Sequence, residues 1–264
     1  MPDGNRVPLD QAALANAIVR PGGLYREVRV IARTGSSNAD LLESARAGAP
    51  EGTVLVAEEQ TAGRGRIGRE WVSPPGAALL FSVLLRPGAV PANRRGWLPL
   101  LTGTAVAAAL NGTSGVDARL KWPNDILVHG RKVAGILTEQ AGDAIVVGTG
   151  INVTTKPSEL PPGPATSLLA AGAVETARDT VLLAVLAELD RRYRRWLADP
   201  ADPRLRSSYL GFSDTVGREV RIELPAGEVL TGRAADVDET GRLVLRTASG
   251  ETTAVSAGDV VHVR

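Results

Sequence analysis

The chain contains no cysteine. Disulfides, thiolate metal sites, a cysteine nucleophile and thiol redox sensing are therefore excluded. Histidine is nearly absent, with only His129 and His262. A multi-histidine metal site is impossible, and a Ser-His-Asp triad would have to use one of these two. Aromatic residues make up 3% of the chain, which leaves little for stacking nucleic-acid bases. Neither charge sign dominates: 30 basic and 29 acidic side chains give a net charge of +1, so no global pull toward nucleic acid or an anionic membrane follows. Long apolar runs are missing too. Residues 97–110 are too few to span a bilayer, and the apolar stretch at 9–19 is broken by Asp10, Gln11 and Asn16. That stretch reads as a short amphipathic helix and not as a signal peptide, which implies a cytoplasmic protein.

Lysine is the scarcest charged residue. Only Lys121, Lys132 and Lys156 occur among the 30 basic side chains. Lysine is a compact point charge and arginine a planar fork. In so arginine-rich a chain, two lysines eleven residues apart, Lys121 and Lys132, are candidates for a site where the fork would not fit.

At roughly 100–200 residues per domain, 264 residues allow one large domain, or a medium one plus a small one. No repeat of 20–50 residues is visible. Strands are expected at 24–32, 53–57, 78–85, 119–122, 126–128, 133–138 and 144–153, with helices at 39–47, 97–110 and 180–197. Ser36, Ser37 and Asn38 supply capping groups before the first of these helices. Residues 60–75 and 157–164 read as loops. From about residue 213 the pattern changes to short strands at 219–224, 229–237, 243–246, 252–255 and 260–263. Turn residues separate them, Pro225-Ala226-Gly227 among them, which reads as a small β-barrel. The fold class is α+β, with a domain at 1–212 and an all-β module at 213–264. The cluster Arg191 to Arg195 lies on a helix whose other face is apolar and reads as a solvated face.

The segment Gly63-Arg64-Gly65-Arg66-Ile67-Gly68-Arg69 formally matches G-x-G-x-x-G. A dinucleotide-binding reading fails, because Pro74, Pro75 and Gly76 prevent a following helix and no acidic residue occurs between Glu70 and Asp117. No G-K-[ST] follows, so it is not a P-loop. Glycine lets the backbone fold closely over a ligand. Three guanidinium groups in seven residues repel one another unless an anion sits among them, such as a polyphosphate or acyl phosphate. A solvated loop is the alternative. A second cluster, Lys121-Trp122-Pro123-Asn124-Asp125 followed by Arg131-Lys132, carries groups suited to phosphate and Mg²⁺, though Asn124-Asp125 alone reads first as a turn. A third, Gly148-Thr149-Gly150-Ile151-Asn152, is a glycine-interrupted strand, weak by itself.

In this order and spacing the clusters resemble the biotin–protein ligases. The Gly-Arg loop, Lys-Trp-Pro-Asn-Asp, the Lys132 segment, the Gly148 strand and the early Ser36-Ser37-Asn38 each match a family motif. The likeness covers about residues 28–264. It implies a mixed-sheet catalytic domain with a C-terminal SH3-like barrel. It also implies ATP-dependent joining of biotin to a lysine of a biotin carboxyl carrier domain through biotinyl-5′-AMP. The resemblance places Ser36, Ser37, Asn38, Gln60, Arg64, Gly65, Arg66, Lys132 and Gly135 at biotin. It places Arg64, Arg69, Trp71, Lys121, Asn124, Asp125 and Asn152 at ATP. Lys132, Arg64 and Arg66 are the catalytic candidates, and Asp125 is a candidate ligand for Mg²⁺. Biotin and Mg·ATP are substrates, and no tightly bound organic cofactor is expected. Ser37 stands where threonine is usual, and Ile67 where arginine is frequent. The short stretch before the first catalytic strand resembles the monofunctional type, without operator binding. A lipoate–protein ligase shares the adenylate chemistry and is the alternative; a nucleic-acid-binding module is the alternative from another class.

Overall fold

Strand β1 (Glu27–Ile31) runs parallel to β2 (Thr53–Ala57), and both belong to a seven-stranded mixed sheet. The other members are β3 (Ala78–Leu85), β4 (Ala118–Lys121), β5 (Asp125–Val128), β6 (Arg131–Ala141) and β7 (Ala144–Asn152), all paired antiparallel. The order across the sheet is β1-β2-β3-β7-β6-β5-β4. This computed structural model describes residues 6–225 and 227–263. Ala226, in the turn expected at 225–227, lies outside the described residues.

β2 and β3 are buried at every position because both faces of the sheet are covered. Successive side chains of a strand point to opposite faces. Val54, Val56, Leu79, Phe81, Val83, Ile145 and Val147 join the larger core, with helices α3 (Trp97–Ala109) and α4 (Arg178–Ala198). The intervening Leu55, Leu84, Ala144 and Val146 meet Leu41, Leu42 and Ala45 of α2 (Ser37–Arg46). Ten residues of α2 cannot cover seven strands. The helix covers one end of the central strands and leaves the other end of that face open.

Two helices frame the remainder. α1 (Gln11–Ile18) is capped by Asp10, whose carboxylate accepts from the Ala12 and Ala13 amides. α5 (Pro203–Phe212) was not foreseen from sequence, although Asp202 at its N-cap and Pro203 in its first turn are ordinary start signals. It buries Tyr209 edge-on against Trp97. On α4, Arg191 pairs with Glu188 and Arg194 with Asp190, while Tyr193 and Trp196 are buried. Arg191, Arg194 and Arg195 are exposed as the sequence suggested, but Arg192 is buried against the helix and pairs with Glu188. Among the described residues, no helix is long and apolar enough to cross a membrane.

A second sheet contains β8 (Glu219–Glu223), β9 (Val229–Val237), β10 (Leu243–Arg246), β11 (Thr252–Val255) and β12 (Asp259–His262), in the order β11-β10-β9-β8-β12. In a flat sheet its edges would lie about 19 Å apart, yet four Cα steps join β11 to β12 and span at most about 15 Å. The sheet must therefore curl, as the barrel reading requires. Its buried Val220, Ile222, Val237, Leu243 and Leu245 belong to the same core as Trp122 and α3. Trp122 Nε1 donates to Gly241 O (3.2 Å) and Trp97 Nε1 to Asp238 O (3.1 Å).

At this junction the Trp122 amide donates to Thr215 Oγ1 (3.1 Å), and the same hydroxyl is hydrogen-bonded to His262 Nε2 (3.2 Å). Burial lowers the His262 pKa, and Lys121 and Arg218 add to this, against the opposing pull of Asp214. A histidine held neutral by the fold binds its proton more readily once unfolded, so stability falls as pH drops through about 6.5 toward the folded value. Chemical denaturation at a series of pH values from about 7.5 to 5.5 should show this loss, and His262→Gln should flatten it. An equal slope in both proteins would remove His262 as its source.

Candidate active site

The open half of the α2 face is floored by positions that carry almost no side chain. Leu80 of β3 pairs with Gly150 of β7, and Ser82 pairs with Gly148. Across β6, Gly135 pairs with Gly150 and Leu137 with Gly148. Three of these six positions are glycine, and the result is a trough. Trp71, Asn38 and Lys132 lie over it. A Cβ on Gly150 would come within 2.6 Å of the Trp71 ring, and one on Gly135 within 3.2 Å. A Cβ on Gly148 would stand 2.2 Å from Asn38 Oδ1. The trough is thus a flat apolar slot under Trp71 that ends at a polar group.

That polar end is one connected hydrogen-bond network. Gln60 Oε1 accepts from the Ser37 amide (2.7 Å) and from Ser37 Oγ (3.0 Å). Ser37 Oγ meets Ser82 Oγ at 2.8 Å, and Ser82 Oγ donates to Asn38 Oδ1 at 2.6 Å. Asn38 Nδ2 then donates to Leu137 O and to Glu139 Oε2 (2.8 Å). Ser36 is the N-cap, and Ser37 and Asn38 form the first turn of α2. Side chains fixed on a helix end and strands hold a ligand's polar head more sharply than loop residues would. Trp71 Nε1 is buried without a hydrogen-bond partner.

The opposite end is cationic. Strict alternation would put Lys132 on the face away from Gly135. A bulge prevents this: Ile126 pairs with Ala134 and Leu127 with Lys132, so Val133 is an extra residue on β6. Val133 enters the larger core, and Lys132 emerges on the glycine face. Bulges re-aim side chains in this way beside active sites. Lys132 Nζ pairs with Asp125 Oδ1 at 2.6 Å and lies 5.7 Å from the Trp71 ring centroid.

The Gly-Arg loop closes over the trough as a tight turn. Gly65 N donates to Arg69 O (2.7 Å), and Trp71 N to Gly63 O (2.9 Å). At its tip Ile67 has φ +54° and Gly68 φ +70°. A β-branched residue in the left-handed region costs on the order of 1–3 kcal/mol, so strain is stored at the tip. The sequence suggested that only an external anion would relieve the three arginines. The structure gives each an internal partner. Arg64 pairs with Glu139 (3.2 Å), Arg66 Nη1 donates to Asn124 Oδ1 (3.1 Å), and Arg69 pairs with Asp259 of β12. Burial draws the Arg66 pKa down and Arg69 adds to this, while Asp125 and Asp259 pull it up.

Ser36, Ser37, Asn38, Gln60, Arg64, Gly65, Arg66, Arg69, Trp71, Asn124, Asp125, Lys132 and Gly135 are thus brought to one cavity. Lys121 and Asn152 are not in its lining. Asn152 Nδ2 instead donates to Thr166 O (3.0 Å), and Thr166 N donates to Lys132 O, so Asn152 steadies the strand that carries Lys132. Ser82, Glu139 and Asp259 were missed from sequence. Ser82 had a signal, a lone hydroxyl inside the apolar strand 78–85; Asp259 had none. Among the described residues no three metal-ligating side chains cluster. Asp125 therefore fits Mg²⁺ only as one carboxylate on a metal that a phosphate ligand brings with it.

Residues 30–155 match the model of the biotin/lipoate A/B protein ligase family, and residues 215–263 match that of the biotin protein ligase C-terminal domain. The chain is 45% identical to the biotin–[acetyl-CoA-carboxylase] ligase of Mycobacterium tuberculosis, over 99% of this chain and 98% of that protein. It is 35% identical to the bifunctional ligase/repressor BirA of Bacillus subtilis, over 79% of this chain and 66% of that one. The biotin protein ligase from Aquifex aeolicus, solved in complex with biotin and ATP, superposes with a TM-score of 0.75. That match has 29% identity and covers 91% of this chain and all of that one. Fold and site thus define an enzyme of the biotin/lipoate ligase class. Within that class the chain belongs to the biotin protein ligases, a placement that the C-terminal match favours over a lipoate ligase.

Arg69–Asp259 ties the loop to the second sheet. Burial raises the Asp259 pKa, but Arg69, Lys121 and Arg66 together lower it further, so the carboxylate stays ionised below its usual range. Asp259→Asn should speed hydrogen exchange of the amides at 64–70 without lowering the melting temperature by more than a few degrees. Unchanged exchange would show that the pair does not hold the loop.

Proposed function

We infer that this chain ligates biotin to one lysine of a biotin carboxyl carrier domain, with ATP and through biotinyl-5′-AMP. The observation that carries this reading is the trough itself, in a chain 45% identical over its length to a biotin ligase. It offers a polar head site at Ser37, Asn38 and Gln60, a flat apolar floor, and Lys132 beside Arg66 at the far end. That sequence of surfaces suits a cyclic urea, a fused ring with an alkyl chain, and a carboxylate.

In the first step a biotin carboxylate oxygen attacks the α-phosphorus of ATP. The bond to the β-phosphate oxygen breaks, and pyrophosphate leaves. Two anions must approach, so fixed cations are needed to suppress repulsion and to stabilise the charge that develops. We assign this role to Lys132, Arg66 and Arg69, with Asn124 orienting Arg66, while Arg64, paired with Glu139 beside Asn38, covers the polar end of the trough. Lys132 must exchange Asp125 for the substrate, so binding and release of that pair are linked. Mg²⁺ carried by ATP would be reached by Asp125 and would supply further charge neutralisation. In the second step the carrier lysine amine attacks the anhydride carbonyl carbon and AMP leaves. No covalent intermediate on the enzyme is required.

We assign the chemistry to residues 1–212 and closure of the loop to 213–264, a division that follows the two sheets. With ATP as co-substrate, we place the reaction in the cytoplasm. Incubation with ATP, biotin and an isolated carrier domain should give ATP-dependent biotinylation, and lipoate should not substitute. Transfer of lipoate at the rate of biotin would overturn the assignment.

Two variants test the roles. Lys132→Ala should slow pyrophosphate release by about 10²–10³-fold with the fold intact by circular dichroism. A near-normal rate would remove Lys132 from the chemistry. Gly148→Ala drives a methyl group into Asn38 and should raise the KM for biotin about tenfold, the equivalent of one hydrogen bond of roughly 1.4 kcal/mol. An unaltered KM would place the urea elsewhere.

A further inference from the structure

Glu139 stands where α2, the Gly-Arg loop and the sheet meet. β5 pairs with β6 only as far as Gly135, and Asn124 meets Ile136, so the stretch 137–141 of β6 has β7 alone as its neighbouring strand. Glu139 therefore projects beside the trough without lining the cavity. Its carboxylate does two things at once. It accepts from Asn38 Nδ2 at 2.8 Å, and it pairs with Arg64 at 3.2 Å. Asn38 Nδ2 also donates to Leu137 O (3.2 Å), and Ser82 donates to its Oδ1 at 2.6 Å, so the amide joins Glu139 to the rest of the polar network. The polar network of the cleft and the first arginine of the loop thus share one side chain.

We propose that Glu139 is a positioning residue that couples occupancy of the polar end of the cleft to closure of the Arg64 loop. This rests on the reading of biotin as the ligand. A ligand hydrogen-bonded at Ser37 and Asn38 adds a contact to the Asn38 amide and narrows its remaining motion. The steadier amide holds the Glu139 carboxylate in one direction, and an ordered carboxylate pairs with Arg64 at a smaller entropy cost. Such coupling is reciprocal: a closed loop must in turn favour the bound head group by the same factor. Arg64 is half exposed, so the pair alone has a modest effect, on the order of two- to fivefold in an equilibrium.

Glutamine at this position separates the two contacts. Its carbonyl still accepts from Asn38, but its amide offers Arg64 no charge. Glu139→Gln should keep the KM for biotin within about twofold of wild type and speed release of preformed biotinyl-adenylate about threefold. Glu139→Ala loses both contacts and should raise the KM as well. Arg64→Ala and Arg64→Ala/Glu139→Gln should release adenylate at the same rate, since one interaction cannot be lost twice. Hydrogen exchange of the amides at 63–71 in the ligand-free proteins should rise equally in Glu139→Gln and Arg64→Ala. Wild-type release and exchange in Glu139→Gln, or effects that multiply in the double variant, would overturn the proposal. A wild-type protein that forms no adenylate from biotin would instead overturn the functional reading, and ligand-free exchange would still decide whether Glu139 holds the loop.

Discussion

A sheet face without side chains has to be covered by something, and here that requirement shapes the site. Gly135, Gly148 and Gly150 strip a patch from the middle of the central sheet. Bare strands leave apolar backbone surface and no interdigitating atoms, so the dispersion contacts must come from a body laid flat on top. The Trp71 ring, the Asn38 amide and the Lys132 side chain supply those contacts. A flat ligand that enters the trough replaces contacts the protein already makes to itself. Trp71 Nε1 makes no hydrogen bond, so the indole is held by packing and by Lys132 Nζ, 5.7 Å from its ring centroid.

The same economy governs charge. Arg64, Arg66, Arg69 and Lys132 converge on one cleft, which in isolation would be strongly repulsive. Glu139, Asp125 and Asp259 neutralise three of them, and the Asn124 carbonyl meets the fourth. An arriving polyphosphate competes for the cations with these carboxylates, and is resisted by them where the cations are taken. Affinity for a stray anion is therefore lower than the arginine content suggests. A substrate gains the full set of cations only if it also displaces or reorients several internal partners, which favours a ligand that reaches all of them.

Much of this was legible in the sequence where local chemistry decides the outcome. Strands 53–57 and 78–85 were bounded correctly because unbroken apolar runs between turn residues have few other fates. The Gly-Arg loop and the Lys-Trp-Pro-Asn-Asp segment were singled out together by their resemblance to family motifs, and both line the cleft. What escaped depends on register and tertiary contact. The bulge at Val133 reverses the face of Lys132, and alternation alone assigns it wrongly. Asn152 looked like a nucleotide contact by motif, yet its amide is spent on Thr166. Asp259 lies 190 residues from Arg69, and no local pattern joins them. α5 was missed although its start signals, Asp202 and Pro203, were present.

The second sheet is part of this balance and not an appendage. Its buried residues continue the core that contains Trp122, and Trp122 opens the segment that ends in Asp125. Thr215 receives the Trp122 amide, Gly241 receives its indole, and Asp259 holds Arg69. The segment that carries Asn124 and Asp125 is therefore fixed from below by the second sheet, and the loop that covers it is tied from the side by the same sheet. A rigid-body shift of that sheet would move the floor of the cationic end and its lid together. Pulling Asp259 away would leave Arg69 unpaired beside Arg66, whose charge burial already disfavours, and so would open the loop at its cationic end. The strained Ile67 at the tip works in the same direction, since opening lets its backbone return to the extended region. Closure is the state that has to be held, and it is held at three points, by Glu139, Asn124 and Asp259, each from a different strand or turn.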